Sequence, residues 1–252
     1  MRGTALIVRS YTSKEEEVED RAVRALKVAR DAHKLTLTGG APALNPITFL
    51  VPTDHDCGKT ADAIREKVAE AALDRILVIE AYGHHSSEAL NEAIFTLCDY
   101  QMARAVIISG KAASYLTEAT LAAIDTAFAQ GAKVVCVAVD ELADIVCEGR
   151  VQNTFCAWDI PALVGVGVFD SKGGVEEIAP TAKLIKQYGP CVAVLTTGGG
   201  KLDILQSDTA RVRHDEVMKT KGPRQLAEAE RAGVDFEFLK AGIMPGYPRP
   251  VF

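Results

Sequence analysis

Residues 104–139 read RAVIISGKAASYLTEATLAAIDTAFAQGAKVVCVAV, and this stretch decides the fold class. Ala105 to Ser109 is a short β-branched apolar run that stops at a polar turn, the pattern of a strand buried on both faces. Thr117 to Gln130 carries apolar residues at helical spacing and is closed by Gly131, and Lys133 to Val139 returns to a valine-rich apolar run. Strand, helix and strand in this order predict a right-handed crossover between two parallel strands.

The alternation extends upstream. Thr4 to Val8 reads as a first strand, followed by a charged helix from Ser13 to His33 in which Ser13 and Glu16 have the form of a capping box. A Gly/Pro-rich connector, 39–46, leads to a second strand, Ile47 to Val51, and then to a polar turn and another helix. Arg75 to Glu80 is a third strand and Ser86 to Tyr100 a helix. Downstream the pattern loosens: 150–170 mixes aromatics, the lone Trp158 and a Gly-rich apolar stretch, after which Glu176-Glu177 open a helix running through Tyr188. Cys191 to Leu195 is a strand ending in Thr196-Thr197-Gly198-Gly199-Gly200, and a charged helix-and-loop region and a Pro-rich tail, 244–252, close the chain. The sequence therefore predicts an α/β protein, one domain over 1–252, with a mostly parallel open sheet flanked by helices.

Composition agrees with a folded domain of this size. At 252 residues, 48% hydrophobic and 25% charged, the chain can bury one sizeable core and is unlike a disordered segment. A net charge of -6 with scattered Lys and Arg offers no footprint for nucleic acid or an anionic membrane. The apolar run in MRGTALIVRSY breaks at Arg9, too soon for a signal segment or a membrane span, which predicts a cytoplasmic protein. The six cysteines lack any C-x-x-C spacing and read as reduced core residues. Homo-oligomerisation is left open.

Parallel sheets bind ligands beyond the carboxyl ends of their strands. Four loops therefore come forward: Arg9-Ser10-Tyr11, 53–56, 82–87, and Ser109-Gly110-Lys111. Asp54 and Asp56 close a strand and open a helix, so one can cap the helix while the other faces ligand. The Gly-Lys-Thr triplet at 58–60 lacks the upstream glycine of a phosphate-cradling P-loop, and no G-x-G-x-x-G follows the first strand. Adjacent His84 and His85 have poor spacing for one metal. Phe155 and Trp158 read either as core or as a stacking floor for a sugar, with Asp159 and Asp170 as acidic candidates beside it.

Several of these segments, in order, resemble the GT-A-fold glycosyltransferases that use nucleotide sugars, especially the large inverting family that makes polysaccharides and glycoconjugates. Arg9-Ser10-Tyr11 looks like the family's Pro-x-Tyr-Asn segment, and Thr53-Asp54-His55-Asp56 like its Asp-Asp-Gly-Ser turn; both hold the base. The helix over 86–94, with Asn91 the best match, is similar to the one beside the donor diphosphate. LVGVGVFD, 163–170, looks like the family's Val-Gly-Gly-Phe-Asp-Glu segment, Glu176-Glu177 like its Glu-Asp motif, and His214 falls where a late histidine often lies near the donor.

The resemblance implies a nucleoside-diphosphate sugar as donor, an unidentified acceptor, and a division into a nucleotide-binding half, about 1–140, and an acceptor-side half with the tail, about 141–252. It also implies Arg9, Ser10, Tyr11, Asp54, Asp56, Asn91 and Lys111 on the donor, with Glu177, Glu176 or Asp170 beside the acceptor. One departure matters. Where the family's fourth strand ends in the metal-binding Asp-x-Asp, this chain has Ser109-Gly110-Lys111, which supplies no carboxylate for a divalent ion. Either Lys111 shares the charge neutralisation, or the chain is a non-catalytic nucleotide-sugar-binding or scaffold relative. A different Rossmann-type nucleotide-binding enzyme is the third reading.

Overall fold

In the computed structural model, residues 3–9, 18–35, 43–44, 47–52, 59–73, 75–81, 87–139, 143–170, 175–197 and 208–251 are described. The apolar runs become strands: β1 (Thr4–Arg9), β2 (Ile47–Pro52), β3 (Ile76–Ala81), β4 (Arg104–Ser109), β5 (Val134–Ala138), β6 (Phe155–Asp159), β7 (Val192–Thr196) and β8 (Arg249–Pro250). They form one sheet in the order β3-β2-β1-β4-β6-β5-β7-β8. The pairs β1–β2, β2–β3, β1–β4, β5–β7 and β7–β8 are parallel, while β6 lies antiparallel between β4 and β5.

The central strands are buried on both faces, which is why their sequences run apolar without alternation. In β4, Ala105 and Ile107 face one core layer, and Val106 and Ile108 the other. The helices cover these layers. On one side lie α1 (Val18–Lys34), α2 (Lys59–Glu70) and α4 (Glu118–Ala129); on the other, α3 (Ser87–Asp99), α5 (Ala143–Cys147), α6 (Ile160–Gly165), α7 (Ile178–Tyr188) and α9 (Phe236–Ala241). The long α8 (Asp208–Arg231) packs on α7. In α4, Thr117 caps the first turn by accepting from the Thr120 N–H at 3.1 Å, and Gly131 follows the last turn at φ 102°.

The α/β class, the mostly parallel sheet and the helices on both faces stand as predicted. The capping box at Ser13 and Glu16 and the polar turn 53–58 lie outside the described residues, as does Cys57. Cys136, Cys156 and Cys191 are buried free thiols and Cys98 and Cys147 partly buried ones, as a reduced core requires.

Residues 150–170 show no regular pattern in sequence, yet Phe155–Asp159 is a central strand. That strand corrects two readings. Trp158 and Phe155 are both fully buried, on opposite faces of the sheet, so they form no stacking floor. Because β6 runs antiparallel, its last residue Asp159 lies opposite Arg104, at the start of β4 and away from the carboxyl ends. There Asp159 caps α6 through the Ala162 N–H at 3.0 Å and pairs with Lys133 at 3.1 Å.

Candidate active site

The reversal of β6 carries the segment before it to the carboxyl end of the sheet. Arg9, the last residue of β1, is in register with Ser109, the last of β4. The Ser109 N–H donates to the Thr154 carbonyl at 2.9 Å, so Gln152, Asn153 and Thr154 border the same end. Into this edge the chain also delivers Glu176 and Glu177, immediately before α7.

Arg9 Nη1 donates to Glu176 Oε1 at 2.7 Å, with side-chain exposures of 11% and 2%. Asn153 Nδ2 donates to the same carboxylate oxygen at 3.4 Å, and Asn153 Oδ1 accepts from Trp158 Nε1 at 2.9 Å. The buried indole thus orients the amide, the amide orients the carboxylate, and the carboxylate fixes Arg9 at the strand end. Charge-assisted bonds of this kind are stronger than neutral ones, and burial raises the cost of breaking them.

Glu177 behaves differently. It occupies the cap position of α7, makes no side-chain capping bond, and is buried. Its backbone is held because its carbonyl accepts from the Thr181 hydroxyl at 2.7 Å. Its Oε2 finds no hydrogen-bond partner among the described residues. Burial pushes the carboxyl up to about 8, and neighbouring Glu176 adds to the rise, while Lys221 and Arg9 pull the other way.

Asn91 lies on α3 and spends its amide on the backbone of one residue: Nδ2 donates to the Phe169 carbonyl at 2.8 Å, and Oδ1 accepts from the Phe169 N–H at 3.0 Å. It pins the stretch that ends in Asp170. Phe169 in turn meets Trp158 edge-to-face at 5.1 Å. Asp170 is exposed, and Arg231 Nη1 of α8 reaches its Oδ2 at 3.4 Å while Nη2 donates to its carbonyl.

The structure thus brings Arg9, Glu176 and Glu177 together and sets Asn91 and Asp170 along a neighbouring segment. Ser10, Tyr11, Asp54, Asp56, His84 and His85 lie outside the described residues, as do the side chains of Lys111 and His214. Asn153 and Lys221 escaped the sequence reading. An Asn beside an aromatic run carries no distinctive signal, and Lys221 becomes visible only when α8 is laid against α7.

No known protein family matches the chain, and no curated protein does. Among solved structures the fold is similar to that of the mannosyltransferase PcManGT from Pyrobaculum calidifontis in complex with GDP-Man and Mn2+. The TM-score is 0.60 at 14% identity, over 95% of this chain and 68% of that one. A 4-diphosphocytidyl-2C-methyl-D-erythritol synthase from Anaerococcus prevotii matches at a TM-score of 0.47 and 12% identity, over 86% of this chain and 99% of that one. The chain shares the fold of that mannosyltransferase. Among the described residues no helix is long and apolar enough to cross a membrane.

Proposed function

We propose that the chain transfers a glycosyl group from a nucleoside-diphosphate sugar to a hydroxyl acceptor, with inversion, and that Glu177 receives the proton. The observation that carries this reading is the division of labour between two adjacent buried carboxyls at the carboxyl end of the sheet. Glu176 is engaged by Arg9 and Asn153, whereas Glu177 keeps an oxygen with no hydrogen-bond partner among the described residues. A general base works best when its pKa lies near the operating pH, and burial brings Glu177 to about 8.

In the transfer, the acceptor O–H bond breaks and its proton passes to Glu177. The new bond to the anomeric carbon forms as the bond to the diphosphate oxygen breaks, and that electron pair leaves on the diphosphate. The donor would occupy the loops after β1, β2 and β4, within about 1–140, with Arg9, Ser10, Tyr11, Asp54 and Asp56 around the nucleotide. Arg9 is held at the strand end by Glu176, where its guanidinium carries the positive charge that a phosphate needs.

The end of β4 does not fit a divalent ion. Ser109 is buried there with its amide bonded to Thr154, and Gly110 and Lys111 bring no carboxylate. In this proposal the leaving diphosphate is met by Arg9 and Lys111. The same feature favours a second reading, a non-catalytic nucleotide-sugar-binding relative.

Thermal melting with UDP, GDP, CDP and TDP sugars, with and without manganese, tests the donor site, since a ligand of the folded state raises the transition. A shift for one nucleotide together with sugar transfer that falls about 10²- to 10⁴-fold in Glu177→Gln supports the enzyme. A shift without turnover leaves the non-catalytic reading, and no shift for any donor removes both.

A further inference from the structure

Arg9 and Asn153 meet on one oxygen. Arg9 Nη1 lies 2.7 Å from Glu176 Oε1, and Asn153 Nδ2 lies 3.4 Å from the same atom. The Asn153 amide has one orientation that fits. An indole N–H can only donate, so the 2.9 Å bond from Trp158 Nε1 claims the amide oxygen and turns the NH2 group towards Glu176. The backbone closes this arrangement into a ring, because the Thr154 carbonyl accepts from the Ser109 N–H at 2.9 Å and Ser109 is in register with Arg9 across β4 and β1. Asn153, Trp158 and Glu176 are all buried, and hydrogen bonds shielded from water are electrostatically stronger than exposed ones.

We propose that Asn153 is a positioning residue for the phosphate-facing arginine: with its amide oriented by Trp158, it holds Glu176 so that the Arg9 guanidinium is already in place when a nucleoside diphosphate arrives. The inference rests on the proposed donor site after β1. An arginine at a strand end loses rotamer freedom when it binds a phosphate, and that cost falls if the side chain is ordered beforehand. Here the ordering is rooted in the core. Trp158 is fixed by its burial and by its edge-to-face contact with Phe169 at 5.1 Å, and the line from indole to amide to carboxyl to guanidinium carries that rigidity to the carboxyl end of the sheet. What happens at Arg9 should therefore be felt at the indole, and the reverse.

The chain has a single tryptophan, so one indole N–H signal in proton–nitrogen NMR reports the buried end of this line. In the ligand-free protein the signal should move in Asn153→Ala, which removes its acceptor, and also in Arg9→Met, at the other end. It should stay in place in Arg65→Met, whose arginine pairs with Glu80 at the β3 edge of the sheet. Calorimetric titration with UDP, GDP, CDP, TDP and inorganic pyrophosphate reads the phosphate end. Asn153→Ala should bind about 2- to 12-fold more weakly, the cost of ordering one side chain on binding, and so should Trp158→Phe, which keeps an aromatic ring and drops the N–H. Circular dichroism checks that each variant is folded, and Asn153→Ser, too short to bridge both partners, serves if the alanine variant is not. An indole signal indifferent to Arg9→Met, or an unchanged affinity in a folded Asn153 variant, overturns the proposal. If the unchanged chain binds none of these diphosphates, the donor reading of the site fails, and a signal that still follows Arg9 leaves the positioning of the arginine standing.

Discussion

Arg9 and Glu176 are 167 residues apart in sequence, yet Arg9 Nη1 lies 2.7 Å from Glu176 Oε1 in surroundings that leave only 2% of the glutamate side chain exposed. The pair joins the end of the first strand to the start of α7. It therefore couples the donor side of the proposed site to the carboxyl that stands next to the base.

Removing one member takes a charge-assisted partner from a buried ion, and breaking a buried pair in this way costs about 3–5 kcal/mol. Arg9→Met and Glu176→Gln should each lower stability in urea denaturation, with Arg9→Met at the upper end because Asn153 still bonds a neutral amide at 176. The double variant should be more stable than the sum of the two losses predicts, since the two interacting charges are then removed together. Additive losses would show that the two side chains do not interact in solution.

Glu177 contributes to the pH dependence of stability. Burial raises its folded value from 4.5 to about 8, so the folded chain holds this proton at pH values where the unfolded chain has released it. Stability linked to this group is fully present below about pH 4.5 and is lost as pH rises through about 8. The full loss is at most about 5 kcal/mol at roughly 1.4 kcal/mol per pH unit. The difference in urea midpoint between the unchanged chain and Glu177→Gln, measured at pH 5, 7 and 9, should move in favour of the glutamine variant as pH rises. A constant difference would mean that Glu177 is already ionised across this range.

Much of this arrangement was legible before any coordinates. The strands at 4–9, 104–109, 134–138 and 192–196 declare themselves because burial on both faces demands apolar β-branched runs, those at 47–52 and 76–81 are short apolar runs of the same kind, and the helices between them fix the crossovers. Strand β6 does not declare itself. FCAWD has no alternation, and its antiparallel insertion depends on partners 47 to 55 residues upstream in β4 and 20 to 24 upstream in β5, so aromatic side chains that fill the core were open to a second reading as ligand contacts. The adjacency of Glu176 and Glu177 was readable, but their different roles were not. That difference comes from Arg9 and Asn153 reaching one carboxylate and missing the other, which no local spacing encodes.

Gly149 tests how tightly the C-terminal helices are seated. It has φ 80°, and a Cβ there would come within 2.4 Å of the Leu239 carbonyl oxygen on α9. Gly149→Ala combines a strained backbone with a backbone clash, so neither neighbour can yield cheaply. A loss of about 2–4 kcal/mol is expected by urea denaturation. Gly165→Ala, with nothing within 4 Å of its added Cβ, should stay within about 1 kcal/mol of the unchanged chain. Equal effects at the two positions would contradict the packing of α9 against residue 149.

Asn91 separates a positioning role from a donor-binding one. Its amide makes a donor and an acceptor bond with Phe169, and Phe169 packs edge-to-face on Trp158, whose N–H orients the Asn153 that holds Glu176. Asn91→Ala removes two hydrogen bonds from a partly buried site, worth about 1 kcal/mol each, and loosens one support of the indole. Stability should fall by about 2 kcal/mol, and tryptophan emission, which reports on the single indole, should shift with it. Asn91→Asp keeps the acceptor for the Phe169 N–H and loses the donor, so it should fall between the two. If the residue instead held the donor diphosphate directly, Asn91→Ala would weaken nucleotide-dependent stabilisation while leaving the ligand-free transition and the indole emission unchanged. The two-bond clamp on Phe169 predicts the opposite order of effects.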